Sequence, residues 1–171
     1  MEKVKVLQQN LLFKLKMYNF SKFFISLLGV GFFPFASGTV CSLLSLIFFY
    51  FIINLTNFFY LIIFFSIIFL LSIKLINIYS NESENHDSSE IIIDEFLGIN
   101  FILIFYEYFK FTNDLIMFIL IFILFRFFDI VKLYPANWID KNIRNSLGVI
   151  LDDIVAGAYC VIILYCINGF L

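Results

Sequence analysis

The sequence predicts an all-α, integral-membrane helical bundle of about four to five short spans with an amphipathic helix at its N-terminus. Three observations carry that prediction. The chain is 63% hydrophobic with a mean hydropathy of +1.01, whereas soluble domains are about 45–50% apolar. Long apolar runs alternate with short polar breaks. Charged residues crowd the ends of those runs and leave middles such as Leu115–Phe125 nearly bare. A surface this apolar would aggregate in water.

The elements follow in order. Met1–Lys22 mixes Lys3, Lys5, Lys14, Lys16 and Lys22 with Val, Leu and Phe, the pattern of a basic amphipathic helix lying on an anionic leaflet. Residues 1–28 are therefore read as an N-terminal segment and 29–171 as a single helical membrane domain. Phe23–Phe33 has the character of a signal-peptide core. The leader before it is long, however, and the chain continues into another apolar run, so it reads as retained. Gly29–Thr39, with three glycines and Pro34, breaks helical structure. Val40–Ile73 is too long for one span and is interrupted at Asn54–Asn57, which predicts two short helices. Ser80–Glu90 is a strongly polar loop. The third span is expected over Ile91–Phe109, the fourth over Leu115–Val131 and the fifth over Leu147–Leu171, with Lys132–Ser146 as a second polar loop.

Alternating spans place the Gly-rich loop, Ser80–Glu90 and Lys132–Ser146 on one side. That side holds Asp94 and Glu95 at the start of span three, Asp129 at the end of span four, and Asp152 and Asp153 at the start of span five. It also holds every Lys and Arg except Lys110, so the positive-inside rule makes it cytoplasmic. Arg126, Lys132, Lys141 and Arg144 are equally explained, one by one, as snorkelling or topology-setting charges. Ala156 and Gly157 follow the Asp pair by about one turn, where small side chains admit a ligand or another helix.

Carboxylates gathered from three helices, without a thiolate or imidazole cluster, suit a hard cation with oxygen ligands, Mg²⁺ above all. Arg126, Asp129 and Lys132 recur at a spacing of three, which lines up cation, acid and cation on one helical face. Gly38-Thr39 at a helix start offers backbone N–H groups to an anion. Together these point to phosphate chemistry at a membrane surface. A net charge of −2 without a basic stripe excludes a nucleic-acid partner. Cys41, Cys160 and Cys166 form no ligand pattern and read as reduced packing residues. His86 is the lone histidine, in a polar loop.

His86-Asp87, Ile93-Asp-Glu-Phe-Leu-Gly98, Arg126-Phe-Phe-Asp-Ile-Val-Lys-Leu-Tyr-Pro135, Trp138-Ile-Asp-Lys-Asn142 and Leu147-Gly-Val-Ile-Leu-Asp-Asp-Ile-Val-Ala-Gly157 occur in colinear order. This set resembles the phosphatidylglycerophosphatase A family, and Gly38-Thr-Val-Cys-Ser42 resembles that family's N-terminal Gly-Thr-x-Gly-Ser motif. Cys41, Leu133 and Asn145-Ser146 depart from the family pattern and leave the charged residues intact. The resemblance implies a Mg²⁺-dependent bacterial inner-membrane phosphatase with its site on the cytoplasmic face. Its lipid substrate would be phosphatidylglycerophosphate, converted to phosphatidylglycerol and phosphate. On that reading Asp94, Glu95, Asp129, Asp152 and Asp153 include the metal ligands and catalytic carboxylates. Arg126 and Lys132 neutralise the phosphate, with Thr39, Ser42 and His86 as further phosphate contacts or a proton donor. A carboxylate or an activated water supplies the nucleophile. A homo-oligomer is compatible with the sequence. The rival readings are an ion-coupled small membrane transporter, because intramembrane acids often mark ion paths, and a non-catalytic membrane subunit.

Overall fold

A computed structural model describes residues 2–52, 55, 57–83, 88–109 and 113–168. Among them are seven α-helices and no strand: α1 Glu2–Ile25, α2 Ser37–Ile52, α3 Phe58–Ser83, α4 Ile93–Ile104, α5 Asp114–Val131, α6 Ala136–Asn142 and α7 Ser146–Asn168. The all-helical expectation holds, and α2 and α3 divide the long apolar run at the predicted break. The bounds differ in instructive ways.

The predicted third span is the largest difference. Ile91–Phe109 resolves into α4, only 12 residues long, followed by a 3-10 turn at Tyr106–Tyr108. At 1.5 Å per residue α4 reaches about 18 Å, against about 30 Å for a bilayer's hydrocarbon core. Beyond its acidic first turn, and apart from Asn100, its residues are apolar on every side because α4 is the axis of the bundle. Ile93, Leu97, Ile99, Ile102 and Leu103 are all at most 1% exposed. A helix apolar all round is buried all round.

The other helices wrap this axis. Phe49 on α2 stacks on Phe96 at 5.7 Å. The α7 crossing is a backbone-to-backbone approach: a Cβ on Gly157 would lie 2.8 Å from the Gly98 carbonyl oxygen, and one on Gly98 would lie 2.9 Å from the Asp153 carbonyl oxygen. The two glycines let backbones meet where any larger side chain would force them apart. Gly98 follows Asp94 by one turn and Gly157 follows Asp153 by one turn, so the same crossing brings the two acids together.

α3 runs to Ser83, four residues into the predicted polar loop, because α1 packs along its end. Tyr18 stacks on Tyr79 at 5.6 Å, and Ser21 and Ile25 are fully buried. The rest of α1 is not a one-faced amphipathic helix: Leu7, Leu11, Leu12, Phe13 and Leu15 are all exposed and spread around its axis. The predicted Lys132–Ser146 loop contains α6.

Among the described residues two helices, α3 and α7, are long and apolar enough to cross a membrane, where about four to five spans were expected. α2 is apolar but has 16 residues, and α5 has 18 with Asp114, Arg126 and Asp129 among them. Large apolar side chains stand exposed along α2, α3 and α5, among them Ile47, Phe51, Ile63, Leu70, Ile119 and Ile123. Exposed apolar surface on this scale marks contact with lipid or protein.

Candidate active site

The predicted acids meet at one end of the bundle. Asp94, Glu95, Asp129, Asp152 and Asp153 all line a single cavity of about 380 Å³, together with Lys132, Asp140 and Arg144. Local structure fixes each one. α5 begins at Asn113, whose side chain accepts hydrogen bonds from the N–H groups of Leu115 and Ile116 at 2.9 and 3.3 Å, an N-cap that phases the helix. It ends at Lys132 in the left-handed region (φ 45°), a conformation that non-glycine residues adopt at a cost. That turn sends the Lys132 side chain back across the cavity.

Two ion clusters result. Arg126 Nη1 lies 2.9 Å from Glu95 Oε1 and 2.8 Å from Asp129 Oδ2. Lys132 Nζ lies 2.7 Å from Asp140 Oδ1 and 2.6 Å from Asp152 Oδ2. Partial burial works against the Lys132 ammonium. Its hydrogen bonds to Asp140 and Asp152 outweigh that, and its pKa rises above the ordinary lysine value. Each cation thus joins helices that are distant in sequence.

Asp94 and Asp153 are different. Among the described residues neither has a basic partner. Asp94 Oδ1 accepts only the Glu95 N–H, at 3.0 Å. Asp153 is 4% exposed, and the charges of Asp94, Asp129, Asp152 and Glu95 all act on it. Glu95 Oε2 and Ser42 Oγ are both buried and adjacent, the hydroxyl being the donor near that carboxylate oxygen, yet neither closes to a full hydrogen bond. Buried carboxylate oxygens without partners are costly, and a hard cation is the species that would satisfy them. Among the described residues no group of three or more Asp, Glu, His or Cys side chains forms a ready-made ligand set. The arrangement therefore suits an ion held by one or two carboxylates with its remaining positions open to water and phosphate oxygens.

The remaining predicted residues are placed as follows. Arg126 stands behind the lining, bridging Glu95 and Asp129. The start of α2 faces Glu95: a Cβ on Gly38 would lie 1.8 Å from Glu95 Oε1. The Glu95 carboxylate thus fills the space that was expected to receive an anion. Ser42 lies one turn further along α2 and is fully buried. Thr39 is half-buried and outside the cavity lining. His86 lies outside the described residues. Two charged residues of the cavity lining, Asp140 and Arg144, were not singled out as site residues. Asp140 had a signal in its place within the Trp138–Asn142 block, and Arg144 had none beyond its charge.

A helical bundle whose one polar end joins buried carboxylates, two cation clusters and an open cavity is the architecture of an enzyme acting on a charged group at an apolar boundary. The family model for phosphatidylglycerophosphatase A matches residues 23–168. The chain is similar to the phosphatidylglycerophosphatase A of Haemophilus influenzae, with 33% identity over 149 residues covering 84% of this chain and 88% of that protein. It is similar as well to the Escherichia coli K12 protein of that name, 37% identical over 83 residues, 48% of this chain and 46% of that one. No solved structure matches it significantly. The chain belongs to the phosphatidylglycerophosphatase A family.

Proposed function

We propose that the protein hydrolyses the terminal phosphate monoester of phosphatidylglycerophosphate, releasing phosphate and leaving phosphatidylglycerol, and that it needs Mg²⁺ to do so. The family supports the substrate. The observation that carries the metal is the charge of the cavity. Asp94, Glu95, Asp129, Asp140, Asp152 and Asp153 line it, while Arg126 and Lys132 each already serve two of those acids. A phosphate dianion entering such a cavity meets like charge unless a cation is bound there.

Asp94 and Asp153, without basic partners, are the residues to hold the ion, with Glu95 Oε2 beside them. When bound, Mg²⁺ supplies charge neutralisation and polarisation of the phosphoryl oxygens. Arg126 orients Glu95 and Asp129 through its two ion pairs. Lys132, held between Asp140 and Asp152, presents an ammonium to the transferring phosphoryl group as charge builds on its oxygens. The apolar exterior suits a multi-pass protein of the bacterial inner membrane. The positive-inside rule supports a cytoplasmic face for the end that carries Lys132, Arg144 and the Lys22–Glu90 pair.

The experiment is phosphate release from phosphatidylglycerophosphate in neutral detergent micelles by the purified protein. Turnover is expected with Mg²⁺, with loss on chelation and recovery on adding Mg²⁺ back. Turnover unaffected by chelation would remove the metal. No turnover under any divalent ion would remove the activity and favour a transporter or a non-catalytic subunit.

A further inference from the structure

We propose that Arg144 determines specificity by binding the second phosphate of the lipid headgroup, the diester that joins the glycerol phosphate to diacylglycerol. This rests on the substrate reading above and assigns it a residue. Of the three cations at the cavity, Arg126 and Lys132 are each held by two carboxylates. Arg144 lines the cavity, is exposed, and makes no ion pair among the described residues.

Its backbone is nevertheless tightly fixed. On one side the Ile143 N–H donates to the Ile139 carbonyl at 2.8 Å, closing α6. On the other, the Asn145 side chain accepts from the N–H groups of Leu147 and Gly148, both at 3.0 Å, and caps α7. The link between them is so compact that a Cβ on Gly148 would lie 1.7 Å from the Ile143 carbonyl oxygen. Arg144 is thus a free guanidinium on a rigid base, at the rim of a cavity whose depth is acidic.

The substrate's two phosphates differ chemically. The terminal monoester is the one cleaved and belongs with the deep carboxylates and their cation. The diester carries a single charge on two unesterified oxygens, which a guanidinium fork matches with two parallel hydrogen bonds. A diester bound at the rim would hold the headgroup so that its far end reaches the acids. The product phosphatidylglycerol keeps the diester alone, and inorganic phosphate reproduces only the terminal group.

That difference supplies the test. For Arg144→Ala acting on phosphatidylglycerophosphate in neutral detergent with Mg²⁺, KM and the inhibition constant of phosphatidylglycerol are expected to rise about tenfold. kcat and the inhibition constant of inorganic phosphate should stay within about twofold of the parent. Arg144→Lys, which keeps the charge and loses the fork, should show the same pattern at about threefold, and it carries the test if the Ala variant melts early. Lys141→Ala, in the last turn of α6 and outside the cavity lining, should change neither. A parallel rise in the inhibition constant of inorganic phosphate would overturn the assignment in favour of general charge attraction, and no rise in KM would overturn it outright. Parent protein that releases no phosphate would instead bring down the activity on which the assignment rests.

Discussion

Where α4 and α7 begin and α5 ends, Asp152 and Asp153 are 6% and 4% exposed and Arg126 and Lys132 tie acids from separate helices together. Where α4 ends and α5 begins, Glu107 and Asp114 stand exposed. There Asp114 only accepts a hydrogen bond from the Tyr106 hydroxyl at 2.9 Å, and rings such as Phe58 and Tyr108, 6.1 Å apart, fill the space between helices. The same residue type is solvated at one end and buried at the other. Burying carboxylates together opposes folding, so the first end keeps a costly arrangement that the second shows to be unnecessary for helix packing. That is the signature of a site, and it can be attacked directly.

The largest effect is expected from the acids without basic partners. Asp153→Asn and Asp94→Asn should each lower phosphate release by about a thousandfold. Without Mg²⁺ their thermal stability should equal or exceed that of the parent, because each removes a charge without a basic partner, fully buried at Asp153 and half-buried at Asp94. Asp114→Asn at the far end should leave turnover unchanged. Near-normal turnover of both site variants would erase the contrast between the two ends.

Gly38→Ala comes next. Its methyl group would fall 1.8 Å from Glu95 Oε1, so the carboxylate must swing away from Arg126. A displacement of about 1 Å at a reacting centre costs on the order of a hundredfold in rate. Gly157→Ala meets the Gly98 carbonyl oxygen at 2.8 Å instead. It should destabilise the bundle by about 1–3 kcal/mol, through backbone separation at the α4–α7 crossing. Assays of turnover and of melting in detergent separate the two.

The gathering of acids at one end was legible because alternating spans put Asp94, Asp129 and Asp152 on one side whatever the exact bounds of the helices. The length of α4 was not. An apolar run entering lipid and one buried among helices share a composition, and only three-dimensional neighbours distinguish them. The same holds for Gly38 against Glu95 and for Lys132 against Asp140. Both are contacts between parts of the chain whose spacing follows no helical period: the first depends on the α2–α4 approach and the second on α6 folding back. The polar loop at Ser80 was misjudged for a related reason. α1 supplies the packing, through Tyr18 on Tyr79, that lets a polar stretch continue as helix.

Ion pairs sharpen the comparison further. Lys132→Met leaves Asp152, whose side chain is 7% exposed, without its cation, and should cost about 3 kcal/mol of stability. Lys22→Met breaks a pair with Glu90 at 3.1 Å in which both side chains are about one-third exposed. The hydrogen bond to Glu90 raises the Lys22 pKa above its ordinary value, yet water screens such pairs and the loss should stay below about 1 kcal/mol. Equal losses would mean that burial at the site end does not govern its energetics.

The smallest effect tests the ground between the two ends. Asn100, on α4 about one and a half turns below Glu95, is fully buried, and both its Oδ1 and Nδ2 lack hydrogen-bond partners. A buried amide without partners costs about 1–3 kcal/mol, and replacing it by an apolar group of similar shape recovers part of that. Asn100→Leu should therefore raise the melting temperature by a few degrees, about what 1 kcal/mol gives a chain of this size, with turnover unchanged. If stability rises and turnover holds, polar function is confined to the end where Asp94 and Asp153 meet. If turnover collapses while the fold is intact, the site extends down the axis of the bundle past Gly98, and Asn100 belongs to it.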